Sequence, residues 1–274
     1  FSGHSATMGC SKCLKQFPCL GFGEKNDYSG FERDEWQHRD MSQHLKAVEC
    51  VQSSLTPTQM DVAVKKSGVK YSELLRLPYF NIITQHVIDA MHNMYLGTAK
   101  HMISVWKESG IIGNLDFELI QSKIDCMIVP FGIGRIPYKI FSKCSELTAD
   151  QWRNWTNVYS LFALHGLLPD IHYNCWAKFV QASLILSQSS ITADDISAAD
   201  SKLLEFCRCF ENLYGKMACT PNMHLHAHLK ECILDYGPIS AFWVFPFERY
   251  NGVMGSFIKN WMTPEMQMMK KFTS

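Results

Sequence analysis

The sequence predicts a mainly α fold with few short strands. Apolar residues recur at helical spacing through most of the chain beyond residue 58. Each such run is bracketed by a capping Thr, a Pro or a terminating Gly. Alternation of the strand type is confined to one short stretch, ISAFWVF.

The elements follow in order. Residues 1–55 read as irregular and rich in Gly, Cys and charge, ending in a helix over DEWQHRDMSQHLKAVECVQ. SSLTPTQ reads as a linker and helix start. A short helix over 58–67 stops at Gly68, and YSELLRLPYF is a helical turn broken by Pro78. From Asp89 a long helix runs to Gly110, and another covers about 115–129. PFGIGRIPYKI is a loop whose GIG lacks the strand–turn–helix setting of a phosphate-binding fingerprint. TADQWRNWTNVYSLFALHG has a Thr cap and ends at Gly166. Helices follow over about 170–188 and 193–214. TPNMHLHAHLKECILDYG starts with Thr220 as cap and Pro221 in the first helical position, and stops at Gly237. The last expected helix is PFERYNGVMGSFIKN. There is no internal repeat or low-complexity tract.

Hydrophobic content of 47% and charged content of 19% are those of a folded chain. The 26 basic and 26 acidic residues balance, so net charge gives no support to nucleic-acid binding by the whole surface and any basic site is local. Eleven cysteines, an odd number and partly on helices, favour free thiols and a metal site over a disulfide framework. No apolar run approaches the ~18 residues of a membrane span. The chain opens at Phe1 in mid-pattern and stops at MKKFTS, so the expectation is a piece of a longer protein.

Three histidines fall within five positions, 224–228. On a helix, His224 and His228 share a face and His226 points away. His-x-x-x-His is how one helix offers two imidazoles to one tetrahedral ion. Near the other end GCSKC supplies Cys10 and Cys13 at zinc-knuckle spacing, with Gly9 easing the turn. The two pairs make a Cys2His2 set. The long separation is no objection, since each doubling of a loop costs only ~0.6 kcal/mol. The alternative is an incidental Cys pair and surface histidines on an amphipathic helix; His4, Cys19, His44 and His226 are substitute ligands.

Nine blocks in register, GHSATMGCSKC, YSGFERDEW, YSELLRLPYF, HVIDAMHNMYLGTAKHM, GRIPYKI, TADQWRNWT, LHGLLPD, CTPNMHLHAHLKECILDYGP and FERYNG, resemble the CACTA (En/Spm-type) DNA transposases over nearly the whole chain. Those enzymes are related to the catalytic core of the V(D)J recombinase. The resemblance implies an RNase H-like fold with an Asp-Asp-Glu triad, in which a large helical insertion separates the second Asp from the Glu. It implies that Cys10, Cys13, His224 and His228 hold a structural Zn²⁺. It also places the catalytic Glu at Glu248, twenty residues after His228. Both aspartates would lie upstream of Phe1, so this chain would carry an incomplete RNase H-like core and not cut DNA alone.

On this reading residues 1–55 form the Cys-x-x-Cys half-site and basic segment. Residues 56–214 are the helical insertion, and 215–274 carry the His half-site and the Glu helix. Catalysis in the complete protein would use Mg²⁺ or Mn²⁺, hard cations that suit the Glu248 carboxylate. Transposon ends and target DNA are the implied partners, with a homo-oligomer open, no membrane, and the nucleus as the implied location. Glu248 is otherwise a solvated first-turn residue favoured by the helix dipole. Phe245, Phe247 and Tyr250 are expected to pack its helix.

Asp89 and His92 match an Asp-x-x-His pair of the family; the alternatives are an N-cap with a first-turn His, or Asp89 as the second catalytic acid. Trp152 and Trp155 are candidates for stacking on a flipped base, with core packing as the alternative. Arg135, Lys139 and Arg249 are phosphate candidates; Lys65, Lys66, Lys70 and Arg76 form a basic cluster or a solvated face. The competing functional reading is a domesticated or decayed transposase-derived module that binds DNA or protein without catalysis. A weaker one is an unrelated helical zinc scaffold.

Overall fold

A computed structural model describes every residue except Ser2, Phe22, Gly23, Glu24, Phe131, Arg135, Ile136, Trp261 and Ser274. The chain is mainly helical, and the described residues contain no strand beyond two isolated bridges, Cys13 with His38 and Cys19 with Asn26.

Helix α1 spans Met41–Gln52, where Asp40 forms a capping box with Gln43. The cap explains why this helix starts later than the periodicity suggests: Arg33–Glu35 makes only a 3₁₀ turn and the chain is extended between the two. Helix α2, Pro57–Ser67, has Thr56 as cap and ends at Gly68 in the left-handed region (φ 70°). A Cβ at Gly68 would also collide with the Met8 carbonyl, so this glycine lets the amino-terminal loop pass against α2.

Helix α3 runs over 91–108. Its first part, Met91–Ala99, is π-helical, and Lys100–Glu108 is α. Within it Gly97 lies against Asn222, leaving no space for a Cβ. Helix α4 is Asn114–Asp125. Helix α5 runs over 149–164, capped by Thr148 with Gln151 and π-helical over Trp155–Tyr159. The longest pair, α6 (Asp170–Leu186) and α7 (Ala193–Tyr214), packs together more extensively than any other two helices.

The histidine segment departs from its expected single helix. It forms α8, Pro221–His226, and α9, Leu229–Tyr236, with a break at Ala227 and His228. The turn is tightened by i→i+3 bonds from Ala227 to His224 and from His228 to Leu225. The Arg33 guanidinium donates to the Ala227 carbonyl at 3.1 Å, taking that acceptor out of the helical ladder. ISAFWVF is not a strand: Ile239–Ala241 is a 3₁₀ turn anchored by buried Ile239. Helix α10, Phe245–Ser256, has no buried residue, and α11, Pro264–Phe272, is an additional helix whose Pro at the first position was its signal.

One apolar cluster extends from Cys10 to Ile239. Trp106, Trp152, Trp155 and Trp176 are fully buried in it, packed with Phe179, Phe206 and Phe210. No helix of the described residues is long and apolar enough to cross a membrane.

His44 on α1 is buried, and neither ring nitrogen has a hydrogen-bond partner. Burial, aided by nearby Arg39, lowers its pKa to about 4. A His whose folded pKa is depressed contributes fully above its unfolded value near 6.5, and that contribution fades as the pH falls toward 4. We expect His44→Leu to stabilise the chain by about 1–3 kcal/mol, since an unsatisfied buried polar group is removed. Urea unfolding at pH 8 and pH 5 should show the larger gain at pH 5.

Candidate metal centre

The amino-terminal loop forms one wall of the site. Leu14 N–H donates to Gln37 at 2.9 Å, and Arg39 N–H donates to Lys12 at 2.9 Å, so the Cys-x-x-Cys turn is clipped to residues 37–39. Lys12 between the two cysteines is buried and its Nζ donates to the Ile83 carbonyl at 2.7 Å. Its backbone N–H points at Cys10 Sγ at 3.3 Å, a donor suited to a thiolate. Lys15 donates to Ser29 at 2.6 Å and lies 4.5 Å over the Trp36 ring.

The break between α8 and α9 forms the other wall. Arg33 reaches from the amino-terminal segment to buried Asp200 on α7, with Nη2–Oδ2 at 2.8 Å, while its Nη1 holds the Ala227 carbonyl. This joins the loop, α7 and the break at one guanidinium.

Across the gap, Cys10, Cys13, His224 and His228 converge. All four are buried, and one ligand atom from each lies within 4.8 Å of the others. Cys13 Sγ and His224 Nε2 are 3.4 Å apart, the separation that two ligands of a tetrahedral zinc ion adopt. Phe17 meets His224 edge-on, and Trp36 covers both imidazoles with centroids at 4.5 and 5.7 Å. Aromatic rings therefore cover the imidazoles.

The protonation chemistry fits a cation. Cys13 first, and then both imidazoles, hold the Cys10 thiol well below its usual range against the opposing effect of burial. Cys13, sharing its proton with Cys10 in a buried setting, is pushed up. Burial lowers His224. Burial alone would lower His228 too, but its contacts with Cys10 and Glu231 outweigh that and raise it to about 9. His228 Nδ1 pairs with Glu231 Oε1 at 2.9 Å, leaving its buried Nε2 without a partner. With a metal bound in place of the second ring proton, the carboxylate acceptor on Nδ1 would hold the tautomer whose Nε2 lone pair faces the ion. Two thiols and two imidazoles in one buried pocket can hold a metal such as zinc, with four protein ligands and no open position.

The substitutes considered from sequence lie elsewhere. His226 is buried on the far side, with Nε2 2.8 Å from Thr98 Oγ1 and its ring against Phe179 and Phe206. His44 contacts Phe1, Cys19 is exposed and donates to Gly21 at 2.8 Å, and His4 is exposed. Among the described residues no other group of His, Cys, Asp or Glu converges in this way. Sequence reading missed Glu231, although His-x-x-Glu spacing was a signal for it. It also missed the Arg33–Asp200 pair, for which there was none.

Glu248 lies in the first turn of α10, 53% exposed. Phe245 packs on Tyr95 and Trp243, but Phe247 and Tyr250 are exposed and do not fix the helix as expected. His92 Nε2 lies 3.9 Å from Glu248 Oε1. Asp89 is a cap as the alternative reading had it. Its oxygens accept from the N–H groups of Met91 and His92, and also from that of Val244 at 2.9 Å.

Trp152 and Trp155 are fully buried, so neither is available to stack on a base in this structure; their aromatic mass went into the core. Arg135 lies outside the described residues. Lys139 is exposed at φ 51° on its loop, and Arg249 is exposed beside Glu248.

No protein-family model, curated protein or solved structure matches the chain.

We expect the purified chain to hold one zinc per molecule by elemental analysis. Cys10→Ser or His228→Ala should abolish it and lower the melting temperature, whereas His226→Gln should keep it. Glu231→Gln should retain the stoichiometry but weaken metal affinity by about 10–100-fold, read by competition with a chromogenic chelator.

Proposed function

We propose that this chain is the zinc-bound helical insertion and Glu-bearing helix of a cut-and-paste DNA transposase of the CACTA type. The observation that carries the reading is the Cys2His2 convergence itself. The resemblance requires a Cys pair near the start and a His pair near the end to share one ion, and 211 residues separate Cys13 from His224. Glu248 follows at the start of a helix, where the dipole favours a carboxylate and the side chain reaches solvent.

The zinc has a structural role, pinning the loop of Cys10 and Cys13 to the helices that lead into α10. Glu248 is the third carboxylate of an Asp-Asp-Glu set, with both aspartates supplied by preceding sequence. Two Mg²⁺ or Mn²⁺ ions on such a set activate the attacking oxygen and steady the leaving one. Arg249 and Lys139 serve as contacts to phosphates, and the nucleus is the place of action. A module that has lost catalysis differs from this reading in one respect: preceding sequence would lack one or both acids.

In a complete parent protein, Glu248→Gln should abolish strand cleavage, a loss of at least about a thousandfold, on the scale of losing a transition-state electrostatic contact. Binding of the transposon ends in a gel-shift assay should be unchanged. Retained cleavage would refute the assignment of Glu248.

A further inference from the structure

We propose that Asp89 and His92 are the positioning residues of Glu248, acting through the backbone and the side chain of α10 respectively; this rests on the role given to Glu248 above. Asp89 is a cap shared by two helices. Oδ2 accepts from His92 N–H at 2.9 Å at the start of α3, and Oδ1 accepts from Met91 N–H at 3.3 Å. Oδ1 also accepts from Val244 N–H at 2.9 Å, across 155 residues of sequence. Val244 is the N-cap of α10, and its own carbonyl accepts from Glu248 N–H at 2.9 Å. A chain of two hydrogen bonds therefore runs from the Asp89 carboxylate through one peptide residue to the backbone of Glu248.

The side chain is addressed separately. His92 Nδ1 lies 2.6 Å from Asp89 Oδ2. A carboxylate can only accept, so Nδ1 carries the hydrogen and the ring is locked with Nε2 toward Glu248. At 3.9 Å from Oε1, Nε2 is beyond a direct hydrogen bond yet close enough to bias where the carboxylate rests. Both ends of the contact matter because α10 has no buried residue of its own to fix its rotation. The Asp89 cap and the packing of Phe245 against Tyr95 and Trp243 supply that constraint. With all its contacts made to N–H groups, Asp89 acts as a positioning residue and not as a metal-binding acid.

The test uses this chain with zinc bound, followed by the complete parent. Asp89→Ala should speed hydrogen exchange of the Val244 amide at least about tenfold, the loss of one protecting bond, while zinc content and exchange in α7 stay unchanged. Asp89→Asn keeps one acceptor for Val244 but turns an NH₂ toward His92. It should leave Val244 protected and move the His92 ring to the Nε2–H tautomer, read from its ¹⁵N shifts. In the parent, Asp89→Ala and His92→Ala should raise the Mn²⁺ concentration for half-maximal cleavage several-fold with end binding intact, and Asp89→Asn should fall between Asp89→Ala and wild type. Unchanged Val244 exchange in Asp89→Ala, or an unchanged Mn²⁺ requirement in both alanine variants while Glu248→Gln is inactive, overturns the proposal. Altered exchange with fully active Glu248→Gln instead removes the role assigned to Glu248 and leaves the shared cap standing.

Discussion

Four buried side chains that cannot be satisfied by one another set the terms for the rest of this molecule. The two thiols lie together, two imidazole nitrogens, His224 Nδ1 and His228 Nε2, have no partner, and the surroundings include Phe17, Trp36 and the core. An unsatisfied buried polar group costs about 1–3 kcal/mol, so the pocket without a cation is a liability. Structural zinc binds peptides of this ligand type with an apparent ~10–16 kcal/mol, comparable to the ~5–15 kcal/mol that separates folded from unfolded domains. Loop-closure entropy grows only logarithmically, so spanning 211 residues adds little to the cost. An ion held at this site would contribute roughly tenfold more than a surface ion pair.

Convergence to one ion demands that neighbouring backbone segments be placed to a fraction of an ångström, and the other contacts serve that demand. Gly68 lets the loop preceding Cys10 cross α2, and Gly97 lets α8 lie against α3. Asn93 Nδ2 donates to the Asn222 carbonyl at 2.9 Å, fixing the start of α8. The Arg33 fork sets the break that swings His228 out of the α8 register. A straight helix would also have put His224 and His228 on one face. The break instead makes His228 the cap position of α9, where Glu231 in its first turn can reach Nδ1.

Much of this was legible in the sequence because caps and stops are local. Thr148 and Gly68 announce their helices through their own hydrogen bonds or dihedrals. The metal ligands were legible because thiol and imidazole pairs at those spacings serve few other ends. What was not legible depended on distant partners. The broken histidine helix needs Arg33, nearly two hundred residues earlier. ISAFWVF alternates like a strand, but a strand needs a neighbour to pair with, and Pro238 with buried Ile239 closes a 3₁₀ turn first. Trp152 and Trp155 illustrate the limit of residue chemistry: the same ring that stacks on a base fills a core, and helical periodicity alone favoured the core.

Asp89 shows how geometry separates roles that sequence leaves equivalent. A carboxylate that serves as a metal ligand must keep lone pairs free in the direction of the ion. Those of Asp89 are directed at three backbone N–H groups and one imidazole, on two helices whose positive ends both face it. Coordinating a cation would withdraw the acceptor from Val244 and loosen the helix that carries Glu248. The two tasks therefore exclude each other at this side chain. Glu248, exposed and in the first turn of its helix, keeps its carboxylate at the surface. The arrangement divides the acidic residues of this face into one that builds the surface and one that the surface presents.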